Sequence, residues 1–97
     1  MALTSKQRAK LKGLAQNLEP IAQFGKNEIS PEQIVMVDQM LEKRELIKCT
    51  VLETSSYTAR EAAALLAEAT HAEPVQAIGR KFILYRRRQK DPVITLD

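Results

Sequence analysis

The stretch Phe24-Gly25-Lys26-Asn27-Glu28-Ile29-Ser30-Pro31-Glu32 decides the fold of this chain. An apolar run, Ile21 to Phe24, leads into it, and Ser30-Pro31-Glu32-Gln33 leads out. Ser30 is a favoured N-cap, Pro31 suits the first helical position, and Gln33 completes a capping box. The stretch therefore reads as a strand-to-helix turn with a glycine at its tip and a lysine beside it. Such a turn aims backbone N–H groups and a helix N-terminus outward, where a phosphate can be held. A Gly-Lys pair alone does not establish such a site, because glycine is common wherever a chain turns tightly.

The elements on either side follow from periodicity. Downstream, Ile34, Val37, Met40 and Leu41 form the buried stripe of a helix whose last turn carries Lys43 and Arg44, cations that suit the helix dipole. Leu46–Leu52 is a strand with Ile47, Cys49 and Val51 on one face and the half-apolar set Leu46, Lys48, Thr50 and Leu52 on the other. A polar loop, Thr54-Ser55-Ser56, precedes a second capping box, Thr58 with Glu61. The Ala-rich segment Ala59–Ala72 is a helix with Ala62, Leu65, Leu66 and Ala69 at helical spacing, ending near His71, which tolerates the left-handed conformation of helix ends. Val75–Ile78 and Phe82–Tyr85 make a hairpin around Gly79-Arg80-Lys81, and Arg86-Arg87-Arg88 continues its second strand. Val93–Leu96 adds an edge strand or an ordered tail.

Upstream, Thr4 and Gln7 form a capping box, and Leu11, Leu14, Ala15 and Leu18 make one apolar stripe of a first helix. Pro20 ends that helix. Gly13 inside it marks close packing or a bend. Lys6/Lys10 and Arg8/Lys12 are like-charge i, i+4 pairs that cost a few tenths of a kcal/mol each with nothing local to offset them, which favours a functional reason. The order is α-β-α-β-α-β-β. Helical crossovers imply parallel neighbouring strands and the hairpin adds antiparallel pairing, so the class is α/β: one compact domain over residues 1–97 with helices packed on a mixed sheet.

The totals agree with that class. Ninety-seven residues make one domain able to bury roughly 60–70% of its unfolded surface. With four aromatics and no Trp, the core is built mainly from Leu, Ile, Val and Ala. The single cysteine, Cys49, cannot form an internal disulfide and reads as a small core residue. No N-terminal apolar stretch resembles a signal peptide and no segment approaches a membrane span, so a cytoplasmic location without membrane contact is expected. The chain is also expected to be a monomer.

Net charge is +3, but it is unevenly placed. Residues 1–26 carry +4, residues 27–79 carry −5, residues 80–90 carry +6, and the last seven carry −2. Two basic blocks bracket an acidic middle. Folded together, they would form a positive face suited to a polyanion; kept apart, they only aid solubility.

Catalytic constellations are missing. One His and one Cys cannot supply the usual three or four ligands of a transition-metal site, and His71 has no serine or cysteine partner in its surroundings along the chain. The carboxylates are scattered at solvated-face spacing, and neither GxxxxGK[ST] nor GxGxxG occurs. No cofactor, metal or small-molecule substrate is expected, and binding is expected rather than catalysis. The materials present are those of a phosphate-backbone groove. Tyr85 beside Arg86 is either a base-stacking residue or part of the core. With no helix that is arginine-rich and acid-free throughout, RNA fits better than the major groove of duplex DNA.

Several of these segments together resemble a known family. Leu3-Thr4-Ser5-Lys6-Gln7-Arg8, Leu11-Lys12-Gly13-Leu14-Ala15, the turn Phe24-Gly25-Lys26-Asn27, Leu46-Ile47-Lys48 and, most specifically, Val75 to Arg86 (VQAIGRKFILYR) resemble the CRM domain (chloroplast RNA splicing and ribosome maturation), in its stand-alone bacterial YhbY-type form. The resemblance implies a fold similar to the C-terminal domain of translation initiation factor three. It also implies RNA binding without catalysis, and association with precursors of the large ribosomal subunit. The family's GxxG turn, likened to the phosphate clamp of KH domains, reads Gly25-Lys26-Asn27-Glu28 here. Glu28 adds bulk and negative charge where a second glycine would admit a sugar-phosphate backbone, and its carboxylate would sit near the helix N-terminus.

The expected RNA contacts are Lys6, Lys10, Gly25, Lys26, Asn27, Arg80, Lys81, Arg86, Arg87 and Arg88, with Asn27 supplying an unusual backbone angle or a hydrogen bond. The expected partner is large-subunit rRNA in pre-ribosomal particles. The alternatives are a module that docks a ribosomal protein or an assembly GTPase through the acidic middle, and a nonspecific DNA-binding protein.

Overall fold

The computed structural model, which describes residues 3–96, begins each helix with the exchange its sequence encodes. Thr4, Ser30 and Thr58 each accept the N–H of the residue three ahead, and the Gln7, Gln33 and Glu61 side chains accept the N–H of their cap residue in return. The elements are α1 (Ser5–Ala15), β1 (Ala22–Phe24), α2 (Pro31–Arg44), β2 (Leu46–Val51), α3 (Ala59–Thr70), β3 (Glu73–Ile78) and β4 (Lys81–Tyr85). α3 ends on His71 in the left-handed conformation, φ 58.

The four strands form one mixed sheet in the order β1-β2-β4-β3. β1 and β2 are parallel neighbours joined by α2, as a helical crossover requires. β3 is not β2's neighbour, although α3 connects them. β4 lies between, antiparallel to both, so the pairing expected across the second crossover is corrected: the hairpin folds back into the gap. β3 becomes an edge, which explains how it accommodates Pro74.

The sheet separates two cores. On one face Phe24, Ile47, Cys49, Val51, Phe82 and Leu84 meet α2 and α3, whose buried residues are Val37 and Leu41, and Ala59, Ala62, Ala63, Leu66 and Ala67. Ala69, expected on that stripe, is exposed, and Thr70 is buried instead, its hydroxyl donating to the Leu66 carbonyl at 2.7 Å. The Phe24 and Phe82 rings lie 6.1 Å apart in this core. On the other face Leu46, Val75, Ile83 and Tyr85 are covered by Leu11 and Ala15 of α1, with Leu18, Ile94 and Leu96 at the margin. Leu14 is 46% exposed, contrary to the four-residue stripe. That stripe assumed a helix reaching Leu18, but α1 stops at Ala15 and Leu18 returns to the core through a turn, its N–H donating to the Ala15 carbonyl.

β4 ends at Tyr85, so Arg86–Arg88 do not extend the strand. The chain instead continues as a tail whose Ile94 and Leu96 pack at the margin of the second core. Its anchor is Glu45, the residue between α2 and β2, which is 1% exposed and adopts φ 65. The Glu45 carboxylate accepts the N–H groups of Arg88, Val93 and Ile94, and its carbonyl accepts that of Arg86. A positive φ costs a non-glycine residue on the order of 1 kcal/mol, and these charge-assisted bonds offset it.

Candidate nucleic-acid interface

At the end of the sheet where β1 and β2 finish, three connections meet. The turn Gly25–Glu28 follows β1, the loop Leu52–Thr58 follows β2, and Gly79-Arg80 joins β3 to β4. They brace one another: Ser56 Oγ donates to the Lys26 carbonyl at 2.9 Å, Leu52 N–H to the Phe24 carbonyl at 2.9 Å, and Val51 N–H to the Arg80 carbonyl at 2.7 Å. Lys26, Asn27, Arg80 and Lys81 are all exposed there. The expected residues Gly25, Lys26, Asn27, Arg80 and Lys81 are thus brought together, although more than fifty residues separate the two segments.

The two glycines at this end are held for different reasons. Gly79 has φ 59, at the first of two linking positions in the hairpin, where the backbone selects glycine. Gly25 has no such constraint, and a Cβ there would meet only Leu52 Cδ1, at an ordinary 3.8 Å. The folded chain therefore does not require glycine at position 25. Asn27 does not have a positive φ, which removes the backbone-angle role considered for it.

The N-terminus of α2 is not an open anion cradle. The Ser30 N–H is taken by Gln33 Oε1, the Gln33 N–H by Ser30 Oγ, and Pro31 has no N–H. Glu28 and Glu32 both lie exposed at this end and oppose an anion. The cations and the exposed turn supply what attraction the region has.

The remaining candidates lie elsewhere. Arg86 sits at the opposite end of β4, about 16 Å from Lys81 at strand spacing. Its guanidinium is committed to the protein: Nη1 donates to Asp38 Oδ1 and to the Thr70 carbonyl, Nη2 donates to the Asp38 carbonyl, and Glu42 Oε1 lies 3.5 Å away. With a side chain 18% exposed, Arg86 is a tie between β4, α2 and α3. Arg87 is exposed, and Arg88 is half-buried with its N–H on Glu45. Lys6 is exposed on α1, while Lys10 donates to the Thr95 carbonyl and so fastens the tail. Arg8 donates to the Pro74 and Val75 carbonyls at 2.7 and 3.1 Å, blunting the open edge of β3. Two of the four cations on α1 thus offset their crowding through carbonyls distant in sequence, a structural reason that the local spacing does not show. Tyr85 is buried in the second core and does not stack on a ligand.

The structure also gathers three lysines that the sequence does not connect. Lys12 on α1, Lys48 on β2 and Lys81 on β4 line an open groove of about 430 Å³ with Gln16, Gln76 and Ile78. Lys12 and Lys48 are not among the expected contacts, and each of the three belongs to a different element. Lys81 is already an expected RNA contact, Lys12 shares a like-charge pair with Arg8, and Lys48 takes an alternate, non-core position of its strand, but nothing in the sequence joins the three. Arg80 adds an exposed ion pair with Glu53 at 3.6 Å, which contributes little and is easily exchanged.

With this geometry in view, the chain can be placed. A family model described as the CRS1 / YhbY (CRM) domain matches residues 3–86, and the chain belongs to that family. It is 34% identical over 94 residues to the "Probable RNA-binding protein YqeI" of Bacillus subtilis, covering 97% of this chain and 98% of that one. It is 33% identical over 84 residues to an "RNA-binding protein" of Haemophilus influenzae, covering 87% and 85% respectively. The fold is also that of a hypothetical Staphylococcus aureus protein solved in solution, with TM-score 0.82, 42% identity and coverage of 99% of this chain and 100% of the other. The family resemblance read from the residues therefore holds. Among the described residues no helix is long and apolar enough to cross a membrane.

Proposed function

We propose that this protein binds RNA, and that its target is ribosomal RNA in precursors of the large ribosomal subunit. The observation that carries the reading is the meeting of the Gly25–Asn27 turn with the Arg80-Lys81 hairpin at one end of the sheet. Lys26, Arg80 and Lys81 contact phosphates there, and Gly25 keeps the turn low enough for a sugar-phosphate backbone to approach. Relatives described as RNA-binding support the same class of ligand. Arg86 positions the end of β4 rather than touching RNA. Lys6 and Arg87 lie at the periphery, and Lys10 and Arg88 act through the tail. The protein works by binding, in the cytoplasm, with no step of covalent chemistry.

Crosslinking in cells followed by mapping of the bound RNA tests this reading. Sites clustered in large-subunit rRNA, and loss of co-sedimentation with assembly particles after ribonuclease treatment, are expected. Co-sedimentation that survives ribonuclease would instead indicate docking on a protein.

A further inference from the structure

α1 covers only part of its face of the sheet. Leu11 and Ala15 lie over Leu46, Ile83, Val75 and Tyr85, while the register places Gln23, Thr50, Lys81 and Ile78 in one row beyond that cover. Lys48, Ile83 and Gln76 form the next row. Lys12 of α1 and Gln16, the cap residue just past its end, flank these rows. The groove so formed has three lysines and no carboxylate among its lining residues. None of the three makes an ion pair among the described residues, in contrast to Arg86 with Asp38 and Glu42. Ile78 stands 64% exposed on its floor.

We propose that this uncovered sheet face is a track for a single-stranded segment of RNA. Lys12, Lys48 and Lys81 hold its phosphates, and its bases lie against Ile78 between Gln16 and Gln76. The inference rests on the RNA-binding reading and extends it, since Lys81 belongs both to the groove and to the hairpin end. Lys48 and Lys81 are diagonal neighbours across β2 and β4, about 7–8 Å apart, suited to successive phosphates of one strand. The floor spans β2, β4 and β3, about 10 Å across, which fits one strand. A duplex is recognised over successive grooves and needs a longer surface.

An acidic peptide is the weaker fit. Peptides gain affinity from an open strand edge, but backbone groups on this face are used by the neighbouring strands, and Arg8 occupies carbonyls at the β3 edge. No aromatic ring lines the groove, so base stacking is absent and the track discriminates little between sequences.

The test uses the full chain and two labelled RNAs: a blunt stem-loop, and the same stem-loop with a single-stranded extension of about six nucleotides. Wild type should bind the extended RNA about tenfold more tightly, and Lys12→Ala/Lys48→Ala should lose that gain while binding the blunt stem-loop as before. Lys12→Ala alone, at an exposed helix position, should lose part of the gain even if the double variant folds poorly. If wild type binds the blunt RNA but gains nothing from the extension, or the variants keep the gain, the track is overturned and the RNA-binding reading stands. If wild type binds neither RNA, both fall. If polyglutamate at matched charge displaces the extension from wild type as well as the oligonucleotide itself does, the occupant is an acidic protein and the proposal fails.

Discussion

Arg86 grips Asp38 twice, donating from Nη1 to its carboxylate and from Nη2 to its main-chain carbonyl. The same guanidinium also satisfies the Thr70 carbonyl at the end of α3, an orphan acceptor of a helix C-terminus. One side chain thus locks the end of β4 to both helices on the far face. Arg86→Ala should lower stability by about 2–4 kcal/mol, because a partly buried charge-assisted network loses its centre. Urea unfolding measures this. Arg87→Ala, one residue on and exposed, should leave the unfolding free energy unchanged within about 0.5 kcal/mol.

Glu45 has the corresponding role for the tail. Glu45→Ala removes the acceptor of the Val93 and Ile94 N–H groups and should release the segment from Arg88 onward. The expected result is early proteolytic cleavage in that segment and a stability loss of about 2–3 kcal/mol. Since Lys10 also fastens Thr95, Lys10→Ala should increase cleavage by a smaller amount.

The glycines give a paired prediction. Gly79→Ala should destabilise by about 1 kcal/mol, because alanine is strained at φ 59. Gly25→Ala should leave the melting temperature within about 2 °C of wild type, since its Cβ meets only Leu52, yet weaken RNA binding by narrowing the approach to the turn.

Cys49 lies in the main core, and burial pushes its thiol from 9.0 up to about 12. The folded chain keeps the thiol proton where the unfolded chain has lost it, so the shift favours unfolding as pH rises from about 9 towards 12. Tyr85 shifts in the same direction, chiefly through burial and secondly through the Glu45 carboxylate, with Arg87 partly opposing. Cys49→Ala should therefore show a shallower alkaline loss of stability than wild type, measured as the difference between urea midpoints across that range. A thiol-reactive dye should label Cys49 at neutral pH only once denaturant is added.

The helix starts were legible because capping boxes act within four residues, and Thr4-Gln7, Ser30-Gln33 and Thr58-Glu61 all close as their spacing requires. The strands were legible as short apolar runs between turn signals, and the Ile47, Cys49 and Val51 side of β2 from alternation. The insertion of β4 between β2 and β3 was not, because strand order is settled by which faces find cover across the whole domain. The same limit separated Lys12, Lys48 and Lys81 in the sequence and joined them in space. Basic character at Arg86–Arg88 meets a related limit. A run of arginines shows charge, but not that Asp38 and Glu42 stand 48 and 44 residues earlier to absorb one of them. Glu45 gave no signal at all, since a buried carboxylate at a helix end is defined by the donors that reach it.

The proposed phosphate-directed binding of RNA falls at the end of the sheet shared by the turn and the hairpin. Its decisive measurement is the salt dependence of RNA affinity for wild type and Lys26→Ala/Lys81→Ala. A linear fall of log affinity with log salt is predicted, with the slope reduced in the variant by about 1.4, or roughly 0.7 for each single-strand phosphate that is no longer neutralised. An unchanged slope and affinity in a folded Lys26→Ala/Lys81→Ala variant would place RNA binding elsewhere on the protein.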